Sequence, residues 1–137
     1  MMSRSAGVIF VFTLCFVDDA PGVLRESKRV LRPDGELVLG VIPRDTQWAD
    51  EYTHRGREGH PIYSAAHFFS ITEIDDLLIS AGFQVADLRS TLFTAPRAFP
   101  DVAEHRKKEK VRDGLVPGAG FMTISAGKAK LVIPRDT

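Results

Sequence analysis

Two apolar runs and one amphipathic stretch occupy the first third of the chain. Residues 8–14 form an uninterrupted apolar run rich in β-branched and aromatic side chains, a pattern typical of a strand covered on both faces. Over residues 20–31 apolar side chains recur on one stripe with charged side chains between them, which predicts an amphipathic helix. Pro33 ends that helix, and residues 36–42 form a second apolar run. The pattern therefore predicts a strand–helix–strand unit with a right-handed crossover.

The rest of the chain predicts two more helices and two more strands. Ser70, with a glutamate three residues later, has the capping-box spacing that begins a helix. A glycine at position 82 stands where a helix of that length would end. The predicted helices cover residues 46–57 and 71–81, and the predicted strands cover residues 83–94 and 120–126.

The order of these elements carries a resemblance to a known family. Residues 12–48 contain an apolar strand, a short loop, the motif VLRESKRVLRPDG and a second apolar strand. This stretch resembles the fourth strand, following helix and fifth strand of class I S-adenosylmethionine-dependent methyltransferases. The resemblance continues through SITEIDDLLISAGF and GAGFMTIS, and so covers about residues 7–130. It implies an α/β fold: a truncated Rossmann-like methyltransferase fold with a mixed sheet of about four strands, flanking helices, and a last strand inserted antiparallel between its neighbours.

The first half of the family's fold, which carries the glycine-rich cofactor loop, has no counterpart in this sequence. Gly118 and Gly120 precede a predicted strand instead of following one and opening a helix, which is the wrong context for a cofactor loop. The resemblance implies S-adenosylmethionine-dependent methyl transfer to a small molecule, by a fragment with little activity alone. The alternative is a non-enzymatic, self-assembling or partner-binding module built on half of the fold.

The composition limits the binding partners and the cellular compartment that we expect for this protein. Lys and Arg together number 18, as do Asp and Glu, so the formal net charge is zero. Without an excess of positive charge the chain has no overall field that attracts nucleic acid or anionic membranes, and we expect neither as a partner. The single cysteine excludes an internal disulfide framework, and we expect a reducing, cytoplasmic location.

The first predicted strand ends in a short stretch whose residues are candidates for ligand binding. Ligands of open α/β sheets bind beyond the carboxyl ends of strands. The resemblance implies that residues just past this strand wall the methionine end of the cofactor, and it does not identify a catalytic residue. Cys15 has no base paired with it in the sequence, so an inert, buried thiol is the favoured interpretation, and Leu14 and Phe16 are equally well explained by core packing. The cofactor-proximal candidates are Thr13, Leu14, Cys15 and Phe16.

The loop at residues 59–70 is rich in histidine and aromatic side chains, and the family varies its substrate pocket after the fifth strand. We therefore expect this loop to be a substrate lid. A metal site is disfavoured, because His54, His60 and His67 are spaced by six and seven residues, which does not place two ligands on one helix face. The substrate-binding candidates are His60, Tyr63, His67 and Phe68.

The missing first half also predicts an oligomer. Without its usual neighbour, the apolar strand at residues 8–14 has one unpaired edge with no charge, proline or bulge to prevent pairing, so we expect a homodimer or higher homo-oligomer through this strand. The expected domain covers residues 1–130. Residues 131–137 form a tail in which VIPRDT repeats residues 41–46 letter for letter, which indicates a sequence duplication. The alternative is a segment able to compete with residues 41–46 for the same position in the sheet.

Overall fold

A computed structural model describes residues 4–44, 46–91, 93, 111–116 and 119–129. Within them lie five strands, three α-helices and two short 3₁₀ helices, at Leu14–Phe16 and Tyr63–Ala65. The strands are β1 (Ser5–Val11), β2 (Leu31–Val41), β3 (Phe83–Thr91), β4 (Arg112–Asp113) and β5 (Phe121–Lys128), and the helices are α1 (Ala20–Val30), α2 (Gln47–Arg57) and α3 (Ile71–Ser80).

The strands form one mixed sheet in the order β1-β2-β5-β3-β4. β1 and β2 are parallel and are joined through α1, as the strand–helix–strand pattern predicted. β5 is antiparallel to both of its neighbours, β2 and β3, and so lies between strands that precede it in the chain. The α/β class, the mixed sheet and the inserted last strand are therefore confirmed, while β4, a two-residue strand against β3, was not predicted.

A side-chain hydrogen bond caps the first turn of each α-helix. The Asp19 side chain accepts a hydrogen bond from the amide of Gly22 and caps α1, with a proline in the first turn. Thr46 caps α2 in the same way. At α3 the Ser70 hydroxyl accepts from the amide of Glu73, and the Glu73 carboxylate accepts from the amide of Ser70, so the predicted capping box is present.

Both parallel strands begin and end earlier than the apolar runs predicted. β1 ends at Val11 and not at residue 14, because Phe12 has a φ of 55° that no continuing strand can accommodate. β2 starts at Leu31 and not at residue 36, directly after α1. Its first residue pairs with Ser5, after which the register shifts, so the segment between the predicted helix and the second apolar run is an irregularity inside the strand.

The core lies between the sheet and the pair α1 and α3. The register places Leu37 and Leu39 of β2 beside Ile124 and Ala126 of β5, on the face that these helices cover. Leu24 of α1 packs into the same cluster. The largest fully buried side chains in the described residues are Phe83, Leu24, Leu31, Leu37, Leu39, Ile74, Leu78 and Met122.

The opposite face of β1 is open in the described part of the chain. Ile9 and Val11 point away from α1, and their side chains are 68% and 53% exposed. Val8 and Phe10, on the helix side, are half-buried against the core. The prediction that this strand is covered on both faces is therefore wrong for the described residues, since β1 lies at the edge of the sheet and only one face is packed.

Two sequence predictions lie outside the described residues. These are the tail at residues 131–137, with its repeat of residues 41–46, and the end of the third predicted strand beyond residue 93. None of the helices in the described ranges is long and apolar enough to cross a bilayer.

Candidate functional site

A cleft of about 230 Å³ opens at the carboxyl ends of the two parallel strands. The turn after β1 forms one wall, the end of β2 contributes the floor, and α2 with the following 3₁₀ turn forms the other wall. This is where open α/β sheets bind ligands. We refer to it as the strand-end pocket, and its lining residues are Phe12, Cys15, Phe16, Ile42, Tyr52, Ile62, Tyr63 and Phe68.

Phe12 redirects the chain at the end of β1. Its amide donates to the carbonyl of Gly40 at 2.9 Å, which continues the pairing with β2 by one residue. Its φ of 55° then turns the chain out of the sheet, and its ring lies 5.2 Å from the ring of Phe121. A non-glycine residue with positive φ is uncommon, so packing of the ring offsets the backbone strain.

The four residues predicted to lie near the cofactor all belong to this turn, but only two of them line the strand-end pocket. Cys15 and Phe16 line the strand-end pocket, and Phe16 is 40% exposed. Leu14 is 3% exposed and belongs to the core cluster. Thr13 donates its hydroxyl hydrogen to the carbonyl of Val11 at 3.1 Å, which holds the turn.

Cys15 is half-buried in the wall of the pocket. Its Sγ lies 3.3 Å from the carbonyl oxygen of Phe12 and donates to it. Burial raises the pKa of the thiol, and a smaller effect of the backbone of Cys15 itself opposes this. The thiol therefore stays protonated near neutral pH, which agrees with its interpretation as an inert wall residue.

The predicted lid packs onto the turn after β1. The His67 amide donates to the carbonyl of Cys15 at 2.7 Å, which joins the two groups of candidate residues across 52 positions of sequence. Phe68 is buried, and the amide of Arg44, just beyond β2, donates to the carbonyl of Phe69 at 2.9 Å. Backbone hydrogen bonds at one end thus fix the lid to both parallel strands.

Only two of the four predicted substrate-binding residues line the pocket. Tyr63 and Phe68 do, whereas the His67 ring packs edge-on against Phe69, 4.6 Å between centroids. His60 has a local role, because its Nδ1 accepts from the amides of Ile62 and Tyr63 at 3.3 and 3.4 Å.

Four lining residues were not predicted as site residues. Ile62 adjoins Tyr63 in the lid, Ile42 follows β2, and Phe12 was assigned to the strand interior. Tyr52 lies on α2, whose only hint in the sequence was an aromatic pair with Trp48 at helical spacing on a polar helix. A positive φ at a phenylalanine leaves no signal in the sequence, so Phe12 could not have been found there.

Tyr52 and Tyr63 form the polar part of an otherwise apolar pocket. Their ring centroids are 4.5 Å apart. Burial is the main reason that the pKa of Tyr52 is raised, and the neighbouring Tyr63 adds to it. The Tyr52 hydroxyl is therefore neutral at physiological pH and can only donate or accept hydrogen bonds.

The charged side chains next to Tyr52 lie on α2. The Arg55 guanidinium lies 5.6 Å from the centroid of the Tyr52 ring, and its Nε is 3.4 Å from a carboxylate oxygen of Glu51. The described residues contain no group of three histidine, cysteine or acidic side chains that could hold a metal ion.

Sequence comparisons connect this geometry with a family. A family model described as a methyltransferase domain matches residues 5–39, which span β1, α1 and most of β2. The uncharacterized protein Rv2003c of Mycobacterium tuberculosis is 42% identical over 127 residues. That alignment covers 91% of this chain and 42% of the mycobacterial protein, so the chain spans less than half the length of this relative.

Solved structures share the fold. An S-adenosylmethionine-dependent methyltransferase of Thermotoga maritima, described as a possible histamine N-methyltransferase, is 31% identical with a TM-score of 0.77, over 92% of this chain and 57% of that one. The 1,6-didemethyltoxoflavin-N1-methyltransferase of Burkholderia thailandensis, solved with S-adenosylhomocysteine, is 18% identical with a TM-score of 0.57, over 93% and 45%. The chain therefore carries the fold of class I S-adenosylmethionine-dependent methyltransferases.

Proposed function

We propose that the chain forms the acceptor side of an S-adenosylmethionine-dependent methyltransferase site that acts on a small molecule. The observation that carries this proposal is the strand-end pocket, which is built from the turn after β1 and the lid after β2. A cleft of about 230 Å³ is small for a ligand pocket, which favours a small acceptor over a macromolecule. The Thermotoga protein is described as a possible histamine N-methyltransferase, which supports the same size class but not a particular charge of the acceptor.

The described residues suit one end of the cofactor. The turn at residues 12–16 presents an apolar wall and a protonated thiol, which suits the carbon chain at the methionine end of the cofactor. No glycine-rich turn between a strand and a helix occurs in the sequence, so the adenosine end has no binding loop here. We infer that the chain alone binds S-adenosylmethionine weakly and has little activity, and that Thr13 and Leu14 support the wall while Cys15 and Phe16 contact the ligand.

Methyl transfer requires little acid–base catalysis from the protein. When bound, the cofactor supplies a methyl group already activated on a sulfonium. The residues of this chain position the acceptor and exclude water, which are the main requirements for a displacement of this kind. Tyr52 and Tyr63 can orient a polar group of the acceptor through their hydroxyls, and the lid residues Ile62 and Phe68 close the apolar side.

Titration of the purified chain with S-adenosylhomocysteine, followed by calorimetry and by NMR, tests this proposal. We expect no saturation at micromolar concentration, but at millimolar ligand we expect chemical-shift changes concentrated at residues 12–16. Replacing Phe16 with alanine should reduce these changes, while the exposed Ile79→Ala on α3 serves as a matched control outside the pocket. Shifts confined to other parts of the chain would contradict the proposed site.

A second candidate function is a self-assembling module, and one observation favours it. Of the two sheet edges in the described residues, β4 is two residues long and charged, whereas β1 is apolar over most of its length. A groove of about 530 Å³ runs along this edge between β1 and α1, lined in part by Val8, Phe10, Val23 and Val30. A second copy, paired through β1, would cover this edge and make a homodimer.

A further inference from the structure

We propose that the strand-end pocket selects an uncharged, planar aromatic acceptor of one or two rings. This inference rests on the proposed function and names the class of molecule that would be methylated. Three features of the pocket carry it: the arrangement of its aromatic rings, the absence of ionised groups among its lining residues, and its volume.

The pocket is walled mainly by aromatic rings. Tyr52 is central among them, with its ring centroid 4.5 Å from that of Tyr63 and 6.4 Å from that of Phe68, the latter in a stacked orientation. Phe12 and Phe16, from the turn after β1, also line the pocket. A lining made mainly of flat rings favours a flat ligand, because offset and edge-to-face contacts require a planar partner.

The volume sets an upper limit on the ligand. An engineered apolar cavity of about 150 Å³ accommodates benzene, so about 230 Å³ leaves room for one or two fused rings with a small substituent. A puckered ring system of the same atom count would lose the stacking geometry. It would therefore contact fewer ring atoms on each wall.

The charge pattern disfavours a cationic ligand. None of the eight lining residues carries a formal charge, and the thiol of Cys15 stays protonated. Arg55 lies over the Tyr52 ring, and the carboxylate of Glu51 is paired with it. A protonated amine would thus lose its hydration without gaining a carboxylate from the described lining, and Arg55 would repel it.

Three probes separate these properties, and the full chain is used in each titration. Indole is planar and neutral, tryptamine adds a cationic side chain to the same ring, and cyclohexanol is neutral but not planar. We expect indole to shift NMR signals of the pocket residues saturably, with tryptamine about tenfold weaker, in line with the cost of desolvating a charge. Tryptamine or cyclohexanol binding as tightly as indole would overturn the proposal.

Substitutions at Tyr63 distinguish stacking from general hydrophobicity. Tyr63→Phe keeps the ring and should keep indole affinity within about twofold, whereas Tyr63→Leu removes the ring and should weaken indole about threefold to tenfold. Equal affinities of the two variants would overturn the stacking argument. Phe16→Ala, at a half-exposed position that tolerates truncation, should weaken indole in the same way, while Ile79→Ala should not.

Failure of this inference is distinguishable from failure of the proposed function. Indole binding does not require the cofactor, and binding of S-adenosylhomocysteine at residues 12–16 does not require an aromatic acceptor. A chain that responds to S-adenosylhomocysteine but shows no preference for indole would overturn the substrate class alone. A chain that binds indole as expected but shows no response to S-adenosylhomocysteine at residues 12–16 would support the aromatic pocket and contradict the methyltransferase site.

Discussion

Gly56 brings α2 against the lid that closes the strand-end pocket. A Cβ at this position would lie 2.6 Å from the carbonyl oxygen of Tyr63 and 3.1 Å from the amide nitrogen of Ser64, both backbone atoms. Backbone atoms cannot move aside as a flexible side chain can. The absence of a side chain at Gly56 therefore sets how closely Tyr63 approaches Tyr52 across the pocket.

Replacing Gly56 with alanine should displace the lid although it raises helix propensity. The gain in propensity is about 1 kcal/mol, whereas overpacking against backbone costs about 1–3 kcal/mol, so we expect a net loss of stability or an opened lid. Thermal unfolding and hydrogen exchange at residues 60–66 measure the two effects. Gly127→Ala is the matched control, because nothing lies within 4 Å of a Cβ there. Unchanged lid exchange in Gly56→Ala would contradict the argument.

Cys15 should react slowly with thiol reagents. Burial raises the pKa of its thiol, so the thiolate fraction at pH 8 is lower than in an unfolded chain. We expect alkylation by iodoacetamide to be slower in the folded chain than in the same chain in urea, and the midpoint of its pH–rate profile to lie higher. Because the raised pKa favours the protonated folded state, the contribution to stability is present at neutral pH and is lost as pH rises through the folded pKa. Faster alkylation of the folded chain would instead indicate an activated nucleophile.

At the scale of elements, the start of α3 connects the lid to the core. The Ser70–Glu73 capping box begins the helix directly after the lid, and Arg44 lies 2.7 Å from a Glu73 carboxylate oxygen. The hydrogen bond from the Ser70 amide is the main cause that lowers the pKa of Glu73. The end of β2, the lid and α3 therefore meet at one group of polar contacts.

Ser70→Ala should destabilise the chain by about 1 kcal/mol, the usual cost of losing an N-cap side chain. The contribution of Glu73 depends on pH: since its folded pKa is lowered, the contribution is present above the unfolded pKa and is lost as pH falls through the folded value. Denaturant unfolding between pH 7 and pH 3 measures both effects. In Glu73→Gln, which keeps a hydrogen-bond acceptor without the charge, this part of the pH dependence should disappear; a profile identical to that of the native chain would contradict the assignment.

At the scale of the whole molecule, the open edge of β1 should drive self-association. Edge-to-edge pairing of two copies would satisfy the unpaired backbone groups of β1 and bring apolar side chains of both chains together. We expect light scattering to give a dimer mass at high protein concentration. Ile9→Lys and Val11→Lys should lower the association, and because both side chains are exposed on the single chain, neither should unfold it.

The matched control for this prediction is Ile79→Lys, since Ile79 is exposed to a similar extent on α3, away from the sheet edge. Its mass distribution should equal that of the native chain. Phe12→Lys would be a less suitable test, because Phe12 lies after the strand and packs on Phe121. A single monomeric species at high concentration in the native chain would contradict the proposed pairing.

The sequence by itself determined the features that depend on residues close together in the chain. The two parallel strands, the helix between them and the capping box of α3 could be predicted, because periodicity, capping residues and turn residues act over a few neighbours. The antiparallel direction of the last strand followed from the resemblance to class I methyltransferases. The same resemblance pointed to the turn after β1 and the loop at residues 59–70 as site candidates, but not to the contact between them.

Contacts between residues far apart in the chain were decided only by the tertiary structure. The left-handed Phe12 depends on packing against Phe121, more than a hundred positions away, and the contact between Cys15 and His67 joins segments that are local to neither. The approach of α2 to the loop at residues 59–70 depends on Gly56, which lies against the backbone of Tyr63. His60 accepts hydrogen bonds in the turn that follows it, and His67 packs on Phe69. Such outcomes follow from long-range packing, whose free energy depends on which surfaces meet and not on the spacing of residues along the chain.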